Sequence, residues 1–309
     1  MTSPASAAAG QSHLPEPGDA GAVTRLAVLS DMHISPAGTP DGRWNNATLR
    51  SRSAEILRSA LAEIVRAGHS RVLVLGDLSD DGSPAMIGAA LSLIEDAGLT
   101  AWVVPGNHDT GDSADAIDVA AGGVRQCAVL YRAPLRPGPG LTLVGAGLET
   151  ADGGQTCTAV HLPEAAGCAD GLLLWAGHYP LLSQRARLRV AGLRYPGDLL
   201  NLRQARAATE RFPGPIAVLH GHLHTTVTRH AGRILQLGFP AVVEWPHAWT
   251  DLTIETSAGG ALVQTATRPV AGQWSRCERN TQLAATEQSW QFSHGQWHAV
   301  ATTESGAGQ

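Results

Sequence analysis

Val72-Leu73-Val74-Leu75-Gly76-Asp77-Leu78-Ser79-Asp80 is the stretch on which the reading of this chain turns. Four consecutive apolar residues ahead of a glycine predict a short strand buried on both faces. The two carboxylates fall just where that strand stops. A carboxylate at the edge of an apolar core costs free energy unless a cation lies against it. Four other apolar runs stop in the same way at His, Asp or Asn, and the five together hold enough ligands for two metal ions.

Upstream, Leu26-Ala27-Val28-Leu29 leads into Ser30-Asp31-Met32-His33. Between the two strands, Ile56/Leu57, Ala60/Leu61 and Ile64/Val65 recur every four residues and predict a helix with one buried face, closed by Gly68. Asn45 or Asn46 is expected to cap it, the alternative being that one of them faces a substrate. Strand, helix and strand in that order predict two parallel strands. Downstream, Ser83 and Pro84 mark a second helix start, Met86/Ile87, Ala90/Leu91 and Ile94 its buried stripe, and Gly98 its end. A third strand, Ala101-Trp102-Val103-Val104, runs into Pro105-Gly106-Asn107-His108-Asp109. Strands of a parallel sheet share one carboxyl edge, so Asp31/His33, Asp77 and Asn107/His108 are expected on the same rim.

From 111 to 140 the pattern weakens to a short helix and loops. Leu141-Thr142-Leu143-Val144 opens a second set of strands, followed by Leu172-Leu173-Leu174-Trp175-Ala176 before Gly177-His178. Residues 199–211 read as a helix, and Ile216-Ala217-Val218-Leu219 ends at His220-Gly221-His222-Leu223-His224. Ile234-Leu235-Gln236-Leu237, 251–255 and 261–265 read as antiparallel strands alternating on one face. Residues 1–22, rich in Ala, Ser, Pro and Gly, are expected to be a disordered leader ahead of one domain over 23–270. The tail 271–309 carries Trp274, Trp290 and Trp297, too much apolar area for a free linker, and is expected to pack on that domain.

The 309 residues, 43% hydrophobic, can bury a substantial core. With 22 Lys plus Arg against 27 Asp plus Glu, the formal charge of -5 offers no global attraction to nucleic acid or an anionic membrane. Cys127, Cys157, Cys168 and Cys277 lack Cys-x-x-Cys spacing and read as reduced thiols in a cytoplasmic protein. No run approaches the roughly 18 apolar residues of a membrane span, and the leader lacks the basic start and apolar core of a signal peptide. Arg185, Arg187, Arg189 and Arg194 read as a solvated face that would steer an anion if a site lay beside it. His13, His69, His161, His230, His247, His294 and His298 show no ligand spacing and are assigned to packing or surface, as is Trp245. His220 ends a strand but is not counted as a ligand. Oligomeric state is left open, a homodimer included.

Asp31-x-His33, Gly76-Asp77-x-x-Asp80, Gly106-Asn107-His108-Asp109, Gly177-His178 and Gly221-His222-x-His224, in this order, resemble the five signature blocks of the calcineurin-like metallophosphoesterase superfamily. The resemblance spans 25 to about 245. The compact body and the Asp80-Asp81-Gly82 after the second block further resemble the bacterial class III cyclic-nucleotide phosphodiesterases. The family implies an α/β fold, a four-layer α/β/β/α sandwich of two mixed sheets. It also implies one metal held by Asp31, His33, Asp77 and His224 and a second by Asp77, Asn107, His178 and His222, with Asp77 bridging. His108 would be the general acid and Asp80 its orienting partner; Asn107, His108 and Arg194 are candidates for touching substrate.

Imidazole and carboxylate oxygen donors suit Mn, Fe or Zn better than Mg or Ca. Two anionic ligands against two divalent ions leave a surplus of about two positive charges, which the neutral Asn107 preserves and which a phosphoester and an activated water can use. The expected substrate is a small phosphodiester, a cyclic nucleotide first, with a phosphomonoester or nucleotide as the alternative. A polymer of nucleic acid is not expected, for want of a basic, aromatic-interleaved groove. A protein phosphatase is disfavoured because Leu78-Ser79-Asp80-Asp81 lacks an Arg after the acidic pair. Relatives of the fold that serve only as protein-binding scaffolds lose ligands or the acid His, and every such position is present here.

Overall fold

Leu73 and Leu75 leave their strand on one face and Val72 and Val74 on the other, and all four are buried, each pair in a different core. This double burial organises the molecule. The computed structural model describes residues 22–110, 116–158, 171–257, 259–279 and 286–301. The expected leader lies outside them except for Ala22, which opens the first strand.

The first sheet has the order Gln296–Ala299, Glu287–Ser293, Gly260–Pro269, Ala248–Ser257, Ala22–Leu29, Arg71–Leu75, Thr100–Val104, Cys127–Val129. Its last four strands are parallel, with Ala27 opposite Val72 and Leu73 opposite Trp102, and the remainder pair antiparallel. The second runs Thr228–Ala231, Ile234–Gly238, Ile216–His220, Leu172–Gly177, Leu141–Gly145, Leu135–Gly138, parallel in its inner four. The two sheets face each other across Leu26, Val28, Leu73 and Leu75 on one side and Leu143, Leu174, Leu219 and Leu237 on the other. Helices Ser53–Arg66 and Pro84–Asp96 cover the outer face of the first sheet through Ile56, Leu57, Ile87 and Leu91. Leu202–Thr209 lies over the second, with Ala205 among Leu173, Trp175 and Val218. The result is the α/β/β/α sandwich of two mixed sheets that the sequence implied.

Local signals explain the helix ends. The Ser83 hydroxyl accepts the Met86 N–H at 3.3 Å with Pro84 in the first turn, and Gly98 leaves the helix at φ +76. The expected asparagine cap of the first helix is not there: a 3-10 turn, Arg50–Arg52, feeds Ser53–Arg66, which has no side-chain cap. Asn46 Oδ1 instead accepts the N–H groups of Glu278 and Arg279, each at 2.9 Å, and Asn45 Oδ1 that of Arg194 at 3.0 Å. Two further expectations are corrected. The region read as short helix and loops does contain Ala116–Ala121, but also the edge strands Cys127–Val129 and Leu135–Gly138. The second of these carries Pro137 and a register shift, features that edges tolerate and that hide a strand from pattern reading. Ile234–Gly238, expected to alternate beside 251–265, lies in the other sheet, parallel to Ile216–His220 and buried on both faces.

The strands Glu287–Ser293 and Gln296–Ala299 extend the first sheet, and Trp297, 1% exposed, meets Phe292 edge-on. Cys127 and Cys157 form no disulfide, and burial raises their thiols to about 11 and about 12. Cys168 and His161 lie outside the described residues, among which no helix is long and apolar enough to cross a membrane. Because Leu75 is wholly buried between the sheets, Leu75→Ala is expected to lower stability by about 2–5 kcal/mol. Urea unfolding would read this as a lower midpoint at unchanged slope.

Candidate metal centre

The carboxyl ends of strands from both sheets meet at one rim, and the backbone there is bent into an unusual shape. Asp31, His33, Asp77, His222 and His224 have φ of 52, 44, 51, 65 and 52°. Left-handed backbone costs an L residue about 1–3 kcal/mol and survives only where its surroundings over-determine it. Here they do. Asp31 N–H donates to Gly76 O at 3.1 Å, and Met32 and His33 N–H both donate to Asp77 O, at 2.9 and 3.0 Å. The glycines that open the blocks are required by close approach: a Cβ on Gly106 would sit 2.1 Å from Asp77 N, and one on Gly221 1.8 Å from Ser30 Oγ.

These turns bring the predicted side chains together. Asp31 Oδ1 is 3.2 Å from His224 Nε2 and 3.9 Å from His178 Nε2. Asp77 Oδ2 is 3.3 Å from His178 Nε2 and 3.5 Å from His33 Nε2, while Asp77 Oδ1 accepts the His108 N–H at 2.9 Å. Asn107 Oδ1 is 3.1 Å from His178 Nε2. Ligands bound ~2.1 Å from one ion stand roughly 3.0–3.4 Å apart at tetrahedral or octahedral angles, so the spacing is that of donors around an ion. Three triads of side chains have ligand atoms mutually within 4.8 Å: Asp31, His33 and His224; Asp31, Asp77 and His178; His33, Asp77 and His108. His222 belongs to none of these; its ring lies 5.0 Å from that of His178 and 3.9 Å from that of Tyr179. Its Nε2 is buried without a hydrogen-bond partner in the protein, the mark of a lone pair kept for a ligand. Donor types, spacing and this orphaned nitrogen all fit a pair of ions such as Mn, Fe or Zn.

Electrostatics agree. Burial pushes Asp31 upward, but His224 and His178 outweigh it and hold the carboxyl well below its usual range. Asp77 is likewise lowered, against its burial, by His178, His33 and His108. In return, and against their own burial, His178 rises to about 9 through Asp77 and Asp31, and His224 to about 10 through Asp31 and Glu244. Burial and the charge of His178 keep His222 neutral. His220, buried with Nδ1 2.9 Å from Gly221 O, is lowered to about 4 by burial and lies behind the site.

Several supporting residues were not read from the sequence. Glu244 is wholly buried with Oε2 2.5 Å from His224 Nδ1, and its Oε1 accepts the Asn46 N–H. Asp109, raised to about 6 by burial and by Asp77, accepts N–H groups from Leu78, Ser79 and Gly106 at 3.1, 3.0 and 2.9 Å and so pins the two loops together. Arg50 Nη1 holds Asp80 Oδ2 at 2.9 Å. That ion pair changes the part expected of Asp80. Its carboxylate sits 3.4 Å from His33 Nδ1 and 3.9 Å from His108 Nδ1, whereas its main-chain oxygen is 2.9 Å from His108 Nδ1. Asp80 therefore orients His108 chiefly through its carbonyl. His33, Asp77, Asn107, His108, His222 and His224 line a cleft of about 290 Å³, whose other wall includes Arg43, Trp44, Arg50 and Pro196. Arg194 stands behind that wall, exposed, with its guanidinium 5.4 Å from the Trp44 ring centroid. Trp245 does not line the cleft, and His247 is buried against Ser275 and Val242.

The family model for calcineurin-like phosphoesterases matches residues 24–226. The chain belongs to this family. Calcineurin-like phosphoesterases hydrolyse phosphoric esters at a dimetal centre, and the triads above are this member's candidate ligand groups. Among solved structures, a dimetal phosphatase from Danio rerio is similar at 14% identity and a TM-score of 0.57, over 82% of this chain and 98% of that one. The sulfate thiohydrolase SoxB of Thermus thermophilus is similar at 16% identity and 0.48, over 84% and 58%. A purple acid phosphatase from yellow lupin is similar at 11% and 0.43, over 82% and 52%. The chain thus spans little more than half the length of the last two. A comparison with curated proteins found no match.

Ligand imidazoles must be neutral to bind an ion, whereas His178 near 9 and His224 near 10 both carry protons at pH 7. Manganese added to metal-free protein at pH 7 in dilute buffer is therefore expected to release about two protons per chain from these rings. Apparent affinity should climb as pH is raised from 6 toward 9; uptake without proton release, followed by pH-stat titration, would contradict this protonation.

Proposed function

We propose that this calcineurin-like phosphoesterase is a binuclear-metal phosphodiesterase of small esters, cyclic nucleotides first among them. The observation that carries the reading is the cluster of donors opening into a 290 Å³ cleft beside a half-exposed histidine, His108, 40% exposed. Asp31, His33, Asp77 and His224 would hold one ion and Asp77, Asn107, His178 and His222 the other. When bound, the ions lower the pKa of a water molecule toward neutrality and offset charge on the phosphoryl oxygens.

The chain's own groups supply the rest. Asp77 is fixed by the His108 N–H on Oδ1, so that Oδ2 faces the cluster. His108 Nδ1 meets a carbonyl oxygen, an acceptor only, and must therefore carry hydrogen. Nε2 is then the ring nitrogen left for substrate, and in the imidazolium form it would give its proton to a departing alkoxide, the general-acid role proposed for His108. Arg50 neutralises Asp80 and keeps that turn under His108 rigid. Cleft charge favours a diester over the alternative, a monoester. The two lining arginines are already paired, Arg43 with Glu278 and Arg50 with Asp80, so the extra charge of a dianion finds less reward there.

A panel of cyclic nucleotides, alkyl diesters and nucleoside monophosphates, tested after chelation and again with manganese restored, is expected to show metal-dependent turnover favouring diesters. Monoesters turned over faster than every diester would overturn the preference. His108→Ala should cut turnover of alkyl diesters about 10²–10⁴-fold. A 4-nitrophenyl diester should suffer far less, because nitrophenolate leaves without a proton; equal losses on both would remove His108 from the acid role. Asp77→Ala should lose bound metal and activity together, and full metal by elemental analysis would break the bridging assignment.

A further inference from the structure

Trp44 is the one tryptophan in the cleft wall, and its surroundings are unlike those of a packing residue. It lies in none of the hydrophobic clusters of the described residues. Its neighbours are charged or basic instead: the Arg194 guanidinium 5.4 Å from the ring centroid and the His224 ring 6.3 Å away, inclined at 53°. The indole Nε1 is buried yet has no hydrogen-bond partner in the protein.

The loop that bears Trp44 is also tied to the metal ligands. Trp44 N–H donates to Asn46 O at 3.0 Å, Asn46 N–H donates to Glu244, and Glu244 holds His224 Nδ1 at 2.5 Å. Asn45 Oδ1 takes the Arg194 N–H at 3.0 Å, fixing the second loop of the wall. The ring is thus held at a set distance from the donor cluster, within reach of a group joined to an ester phosphate there. At about 290 Å³ the cleft is at the small end of ligand pockets, room for one nucleoside-sized group beyond a phosphate.

Resting on the phosphoester reading, we propose that Trp44 is the specificity-determining residue of the cleft: its indole face receives the planar heteroaromatic ring of a nucleoside ester. Arg194 on the tryptophan then acts through the indole, holding its plane and polarising it. Selectivity in this site comes from the alcohol half of the ester, whereas the cluster handles any phosphate.

The test compares two ligands that differ only in the base: the methylphosphinate isostere of an adenosine 5′-phosphodiester and the matching ribose compound, both singly charged and with P–C bonds that cannot be hydrolysed. Binding to manganese-loaded protein is measured by calorimetry. Wild type should bind the adenosine compound about 10-fold to 100-fold more tightly, the range expected of one base stacked on an aromatic side chain. Trp44→Ala should bring the two affinities together by weakening the adenosine compound alone, with metal content unchanged by elemental analysis. Trp44→Phe, which keeps an aromatic face, should restore most of the preference. An undiminished preference in Trp44→Ala, an equal loss for both ligands, or no preference in wild type would each overturn the proposal while leaving metal-dependent ester hydrolysis standing. Binding of neither compound to metal-loaded wild type would instead sink the phosphoester reading beneath it.

Discussion

Asp31 and Asp77 are two buried carboxylates whose oxygens come within 4.8 Å of each other, and the rest of the site answers the repulsion between them. Two like charges ~4 Å apart repel by about 4 kcal/mol even at an effective dielectric constant of 20. Burial adds to that by favouring the neutral acids, yet both stay ionised because His178, His224 and His33 lie against them. The polypeptide by itself thus balances anions with protonated imidazoles. Divalent ions can take over that balance with the same atoms, which is why the structure of the protein alone already has the shape of a metal site.

The carboxylates come close only because two sheets end at one rim and the chain turns sharply out of each. Five left-handed residues there are unfavourable by several kcal/mol together, and hydrogen bonds from main-chain N–H groups hold them in place. Asp109 is central to that support. By gathering three N–H groups from the loops after Leu75 and Val104, it fixes the loop carrying Asp77 against the loop carrying Asn107 and His108. Its carboxyl is raised to about 6 by burial and by the charge of Asp77.

What the sequence revealed and what it hid follow the range of the interactions involved. Val72 to Leu75, with the helical stripes on either side, announce themselves through short periods, so the parallel core and the rim on which the candidate ligands gather were legible. The ligand blocks were also legible because each is a strand end followed at once by its polar residues. Glu244 was not, since nothing near Val243 or Trp245 tells that this carboxylate meets an imidazole 20 residues away. Asn45 and Asn46 looked like caps because their local context suits one, but their acceptors are claimed by Arg194, Glu278 and Arg279, far along the chain. Asp80, which the family resemblance made the partner of His108, does lie against that ring, but the ion pair with Arg50, 30 residues upstream and invisible in the local sequence, holds its carboxylate while its carbonyl meets His108 Nδ1.

Glu244 joins two parts of the cleft, the donor cluster and the wall that carries Trp44. Its Oε2 accepts a hydrogen from His224 Nδ1, which fixes the tautomer and leaves Nε2 as the nitrogen facing Asp31. Its Oε1 accepts the Asn46 N–H, and the Asn46 side chain in turn anchors the segment at Glu278 and Arg279. One buried carboxylate therefore orients a candidate metal ligand with one oxygen and the loop of Trp44 with the other.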